Sequence, residues 1–285
     1  MILVTGAGGN VGRLVVEGLL DAMPAGEIVA ATRRPEELAD LAERGVQVRH
    51  ADFDAPETLK SAFAGADRLL LISSDAVGRR VAQHRAAIDA AAGAGVRLIA
   101  YTSVLHADVT PLIVGPEHKA TEEAVLASGL PYTLLRNSWY TENYEVAIRG
   151  AVDSGLIIGS AGEGRVASAT RADYAAAAVA VLTTAGHQNK IYELSGDTAW
   201  SYADLAAEIT RAAGREVTYR NLTPEDHRAA LLDAGLPEAA ADVYVSFDRD
   251  TERGALADTP GDLRTLIGRP TTPLADSVRA LLAVR

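Results

Sequence analysis

The chain has no cysteine. Disulfides, thiolate catalysis, iron–sulfur clusters and zinc–thiolate sites are excluded together. No apolar run reaches the ~18 residues that a membrane span needs, so no membrane partner is expected. The N-terminus itself reads as the first strand, which leaves no room for a signal peptide, and a cytoplasmic location is expected. Basic residues are outnumbered, 27 against 38, for a net charge of −11. Such a surface is a poor match for a nucleic-acid duplex, and no nucleic-acid partner is expected. The acidic excess reads as a solubility device.

Lysine is scarce as well, with only Lys60, Lys119 and Lys190 present. None of the nine tyrosines has a lysine four residues later. The Tyr-x-x-x-Lys couple that protonates a carbonyl oxygen in simple ketone reduction is therefore missing. The six histidines lack any metal-binding spacing such as H-E-x-x-H, and no metal is expected. No G-K-[ST] follows the N-terminal glycines, which excludes a phosphate loop of the NTPase kind. There is no internal repeat and no low-complexity tract.

What the chain does have begins at its first residue. A short apolar strand runs into Gly6-Ala7-Gly8-Gly9-Asn10-Val11-Gly12, and a helix with one apolar face follows. Strand, glycine turn and helix form the phosphate-binding corner of a dinucleotide fold. Gly6 permits the tight turn. Gly9 lets the backbone approach a pyrophosphate, and Gly12 lets the helix pack close to the strand. An anion would rest on free N–H groups at the positive end of that helix.

The next segments alternate in the same way. Apolar strands are expected at 27–32, 46–50, 69–73, 96–103 and 132–136, with helices starting at Pro35 and covering 81–93 and 117–128. This β-α-β rhythm predicts an α/β fold, a doubly wound parallel sheet of Rossmann-like kind. It spans residues 1–150 as a dinucleotide-binding domain. The rhythm then changes, and residues 151–285 read as a smaller C-terminal α/β substrate lobe, with the helix 172–185 packing on the sheet. Ser201 precedes a helix over 202–213. Thr223-Pro224, Thr259-Pro260 and Thr272-Pro273 each look like a capping hydroxyl before a helix-starting proline.

Arg33 ends the second strand, where a ribose would lie. An acidic residue there favours a 2′-hydroxyl, and arginine a 2′-phosphate. Thr32-Arg33-Arg34 offers no carboxylate, which points to NADP rather than NAD; two solvated arginines at a helix start are the alternative. Asp52 and Phe53 follow the third strand, where they could meet adenine. Helix capping by Asp52 or Asp54 is the competing role. Ser73 and Ser74 end the fourth strand, and Thr102 and Ser103 the fifth, on the path of a nicotinamide ribose; each pair could equally be turn residues.

With these residues in view, the chain resembles the NmrA-like branch of atypical short-chain dehydrogenases. Within that branch it is similar to the bacterial NADPH:quinone oxidoreductases of the flavin-free type. The carrying segments are the glycine turn, Leu69–Ser74, Ile99–Ser103 with Leu105–Asp108, Tyr132–Asn137 with Trp139-Tyr140 and Glu142–Tyr144, and Ala167–Tyr174. The resemblance implies a Rossmann-like domain, NADPH without flavin, and a quinone as acceptor. It implies that Arg33, Ser73, Ser74, Asn137, Ser138, Trp139, Tyr140, Thr141, Glu142 and Arg171 line the cofactor. Tyr101, Trp139 and Tyr140 become the expected acceptor contacts, with core packing the rival role for the last two.

Related plant phenylpropene reductases carry a catalytic lysine where this chain has His118, with Lys119 beside it. That difference argues against enone or benzyl ether reduction. His118 is the expected proton donor to a quinone, with water as the alternative source and a helix-start histidine without a role as the rival reading. The same family includes regulators that bind the dinucleotide without turning it over, so a redox sensor and a reductase of another activated carbonyl both stay open. A homodimer is also left open.

Overall fold

The computed structural model describes residues 1–283. Strands run in the order β1 (Ile2–Val4), β2 (Ile28–Thr32), β3 (Gln47–His50), β4 (Arg68–Leu71), β5 (Leu98–Val104), β6 (Tyr132–Asn137), β7 (Leu156–Gly159), β8 (Arg165–Val166), β9 (Lys190–Leu194), β10 (Trp200–Ser201) and β11 (Thr218–Asn221). The helices are α1 (Asn10–Ala22), α2 (Ala39–Glu43), α3 (Glu57–Ala62), α4 (Arg80–Gly93), α5 (Gly115–Ala127), α6 (Glu145–Ser154), α7 (Arg171–Thr183), α8 (Tyr202–Ala213), α9 (Pro224–Asp233), α10 (Glu238–Glu252), α11 (Asp262–Ile267) and α12 (Leu274–Ala283).

Seven strands form one sheet in the order β3-β2-β1-β4-β5-β6-β9, with every pair parallel. Strands such as Ile2-Leu3-Val4 are apolar on both faces because both faces are covered. One face packs α1 and α7 around Val15, Leu19, Ala177 and Val181. The other packs α3, α4 and α5 around Leu59, Phe63, Ile88 and Val125. The expected doubly wound α/β fold is therefore the observed one. The strand order reverses between β1 and β4, and in open α/β sheets ligands bind at that switch, beyond the carboxyl ends of the strands.

β9 reaches the sheet only after the chain has built β7 and β8. A third apolar cluster lies in the C-terminal region, where α6, α8 and α12 bury Ile148, Leu205 and Val278 with Trp200, and Phe247 of α10 packs against them. Its strands pair only in twos, β8 with β10 and β7 with β11. Ser201 caps α8 in a reciprocal capping box with Asp204, and Thr223 caps α9. Two expected helix starts are corrected. After Thr259-Pro260 the helix waits until Asp262, because Gly261 turns the chain through φ 85°. After Thr272-Pro273 it begins one residue later, at Leu274; the Thr272 N–H donates to the Asp173 carboxylate. No helix is long and apolar enough to cross a membrane, among the described residues.

Candidate nucleotide-binding site

The glycine turn sits at the carboxyl end of β1. Gly6 has φ 60°, which glycine adopts without strain. A Cβ at Gly12 would lie 2.2 Å from the Gly6 carbonyl oxygen, so only glycine lets α1 start this close to the turn. Gly9 is the N-cap of α1 and supplies no side chain to its first turn. The N–H groups there lack a side-chain acceptor, as an anion cradle requires. Asn10 and the Gly8–Gly9 backbone are exposed, Val11 is half-buried, and Ala7 is fully buried, its N–H held by the Ala31 carbonyl at 3.1 Å.

A cleft of about 430 Å³ opens beside the turn. Gly6, Gly8, Gly9, Arg33, Asp52, Phe53, Ser73 and Ser74 all line it, with Thr32, Arg34, Asp75, Ala76, Arg79 and Gln83. Residues that are far apart in the sequence thus meet at the switch point. Arg34 is paired with Glu37 at 2.8 Å, and Arg79 with Asp54 at 3.2 Å. Arg33 has no hydrogen bond or ion pair among the described residues. Asp52 does not cap α3, and neither does Asp54, so that alternative is corrected. Asp52 accepts the Asp54 N–H at 2.9 Å in a local turn. Asp54 accepts from Gln83 at 2.8 Å, and this bond, with Arg79 and then Arg33 adding to it, holds its carboxyl below the usual range.

The end of β5 adjoins β4, which reaches this cleft, and the end of β6 lies one strand further on. Thr102 Oγ1 accepts the Ser73 N–H at 2.8 Å, so the pair supports the backbone rather than offering two free hydroxyls. Ser103 Oγ, Asn137 Oδ1 and Ser138 Oγ are buried and have no partner among the described residues. Three orphaned polar atoms at neighbouring strand ends mark a place for a polar ligand. Past β6, Thr141 bonds Ser168 at 2.8 Å, and Glu142 accepts the Arg171 N–H at the start of α7. The Arg171 guanidinium lies 5.2 Å from the centre of the Tyr140 ring. Trp139 turns the other way and packs on Phe247 of α10 at 4.2 Å between ring centres.

Tyr101 and His118 fall elsewhere. Tyr101 is fully buried between the sheet and α4–α5, so it is not an acceptor contact, and that expectation is corrected. His118 is 6% exposed. Arg80 Nη1 donates to its Nε2 at 3.1 Å, which leaves Nδ1 to donate to the Tyr101 hydroxyl at 2.8 Å. Burial, with Arg80 and His84 adding, lowers its pKa to about 3. A neutral imidazole has one N–H, and here it is spent on Tyr101 inside the protein while the other nitrogen accepts from Arg80, so neither nitrogen is free for a substrate. The sequence-based role of His118 as general acid is corrected to that of a buried support.

Sequence reasoning passed over the supports of this site. His84 and Gln83 hold the loop after β4. Arg136 holds the loop after β5, with Glu122 at 2.8 Å and Asp108 and Glu193 each at 2.7 Å. Only the composition of Arg80–Gln83–His84, polar side chains in an alanine-rich helix, hinted at the first of these.

The fold and cleft define a Rossmann-type dinucleotide-binding protein. A family model described as NAD(P)H-binding matches residues 6–185, and the chain belongs to that NmrA-like family. It is 50% identical to quinone oxidoreductase 2 of Escherichia coli (strain K12), over 100% of this chain and 99% of that one. The crystal structure of NADPH-dependent quinone oxidoreductase QOR2 from Escherichia coli, complexed with NADPH, matches with a TM-score of 0.96 and 50% identity, covering 99% of this chain and 100% of that one. The Citrobacter sp. triphenylmethane reductase complexed with NADP(H) matches at 0.95 and 38%, covering 99% and 100%.

Proposed function

We propose that the protein is an NADPH-dependent quinone oxidoreductase that passes hydride to its acceptor without flavin. The observation that carries this is the full-length likeness, at 50% identity, to a quinone oxidoreductase crystallised with NADPH. The chain's own residues fit that cofactor. The uncapped start of α1 suits a pyrophosphate, and unpaired Arg33 suits a 2′-phosphate, since a guanidinium fork matches phosphate oxygens. Ser103, Asn137 and Ser138 carry polar atoms free to bind at the nicotinamide end.

NADPH, when bound, supplies the hydride. The residues have to hold the acceptor flat and close, because a quinone that gains hydride becomes a weakly basic hydroquinone anion and needs positioning more than a strong acid. Trp139, braced by Phe247, provides a flat apolar wall toward the C-terminal lobe, and water provides the proton.

An anaerobic NADPH-oxidation assay tests this. The panel holds benzoquinones, naphthoquinones, a triphenylmethane dye and an unactivated ketone, with bound flavin followed by absorbance. Quinones should be reduced and the ketone should not. NADPH binding with no oxidation by any quinone would replace the enzyme by a sensor.

A further inference from the structure

We propose that His84 is a positioning residue for the dinucleotide, fixing the loop after β4 in the shape that the cofactor needs. The inference rests on the reading of the cleft as an NADPH site. Ser73, Ser74, Asp75 and Ala76 of that loop line the cleft. The loop is tied down by side chains from two helices. The Ser74 N–H donates to His84 Nε2 at 3.0 Å, and the Gly78 N–H donates to Glu117 Oε1 at 2.8 Å. The Ser74 hydroxyl adds a bond to Gln83 Oε1 at 2.6 Å.

The tautomer of His84 follows from its partners. Thr121 donates its own hydroxyl hydrogen to the Glu117 carbonyl at 2.9 Å. It can therefore only accept from His84 Nδ1, 3.0 Å away. Nδ1 carries the hydrogen, and Nε2 is bare to receive the Ser74 N–H. Both demands select one neutral form, and burial supports it by lowering the pKa to about 4. The ring is fully buried, edge-on to Tyr101 at 5.4 Å and to Phe53 at 6.2 Å. Phe53 itself lines the cleft. One side chain thus braces two of the loops that line the cleft. A residue that only filled the core would need no ring nitrogens, and an aliphatic side chain would serve.

Titration of the full-length protein with NADP⁺ by calorimetry tests this in three forms: wild type, His84→Gln and His84→Leu. Glutamine places an amide oxygen where Nε2 stands, and leucine offers no acceptor. The leucine variant should bind about tenfold more weakly, the usual effect of one buried N–H left unpaired. The glutamine variant should stay within about threefold of wild type on the same scale. Equal binding by leucine, or glutamine as weak as leucine, overturns the proposal. Nitrogen-15 NMR of histidine in the unmutated protein needs no variant to fold: an Nε2–H tautomer or an imidazolium at His84 near pH 7 would overturn it as well. No quinone is present in these measurements, so failure of quinone reduction leaves the result standing, whereas wild type that ignores NADP⁺ ends both readings.

Discussion

Arg33 differs from its arginine neighbours in making no hydrogen bond or ion pair among the described residues, although its charge still acts on Asp54. Arg34 is held by Glu37 and Arg79 by Asp54, while Arg33 lies open in the cleft. Replacing Arg33 with alanine should weaken NADPH binding at least about tenfold, the loss expected for one charge-assisted hydrogen bond to phosphate. NADH binding should hardly change. Calorimetry with both cofactors decides it, and the Arg33→Ala/Arg34→Ala double mutant shows whether Arg34 leaves Glu37 to share the phosphate. His118 invites the opposite expectation. Removing a general acid costs about 10²-fold or more in kcat. Because both its nitrogens are engaged internally, His118→Ala should lower kcat by less than about tenfold at every pH from 6 to 9. A hundredfold fall that varies with pH would restore the acid role.

Among the elements, the junction of β1 and α1 has the least freedom. A methyl group at Gly12 meets backbone on two sides, the Gly6 oxygen at 2.2 Å and Ala7 Cα at 2.8 Å. Neither can move without shifting α1 off the sheet. Gly12→Ala should therefore cost about 1–3 kcal/mol in urea unfolding, as overpacking does elsewhere. It should also abolish dinucleotide binding, because the first turn of α1 leaves its place. Gly9 differs: its Cβ would lie 3.2 Å from the same oxygen, so Gly9→Ala should fold near wild-type stability and lose affinity alone. Unfolding midpoints set beside NADPH titrations separate the two cases.

At the scale of the whole molecule, His84 and His118 make folding sensitive to acid. Each has a folded-state pKa below its ordinary 6.5, about 4 and about 3, chiefly through burial. The native state therefore favours the neutral rings, and this contribution is complete above pH 6.5. It is lost as the pH falls from there through 4 and toward 3. Each ring withdraws up to about 1.4 kcal/mol per pH unit within its window. Urea midpoints should fall between pH 6.5 and 4, and His118→Gln should flatten that slope. An unchanged slope would mean that His118 is not buried neutral.

The elements and the turn between the first two of them were legible in the sequence. Runs such as Ile2–Val4 and Leu69–Leu71 are apolar at every position, which suits only strands covered on both faces, and their alternation with helices dictates a parallel sheet. The glycines of the first turn are a local requirement and can be read locally. The membership of β9 in the sheet was not legible, because Lys190–Leu194 pairs with β6 across the intervening lobe strands. Nor were the roles of the two histidines. His118 stands at a helix start, where a catalyst would be exposed, yet the phase of α5 turns it onto Tyr101 and Arg80. His84 sits in an unremarkable alanine-rich helix, and its partners are a loop amide ten residues back and Thr121, 37 residues on. Local pattern selects secondary structure, because helix and strand each repeat over a few residues. The partner of a buried polar group depends on which elements pack together, and only the tertiary structure decides that.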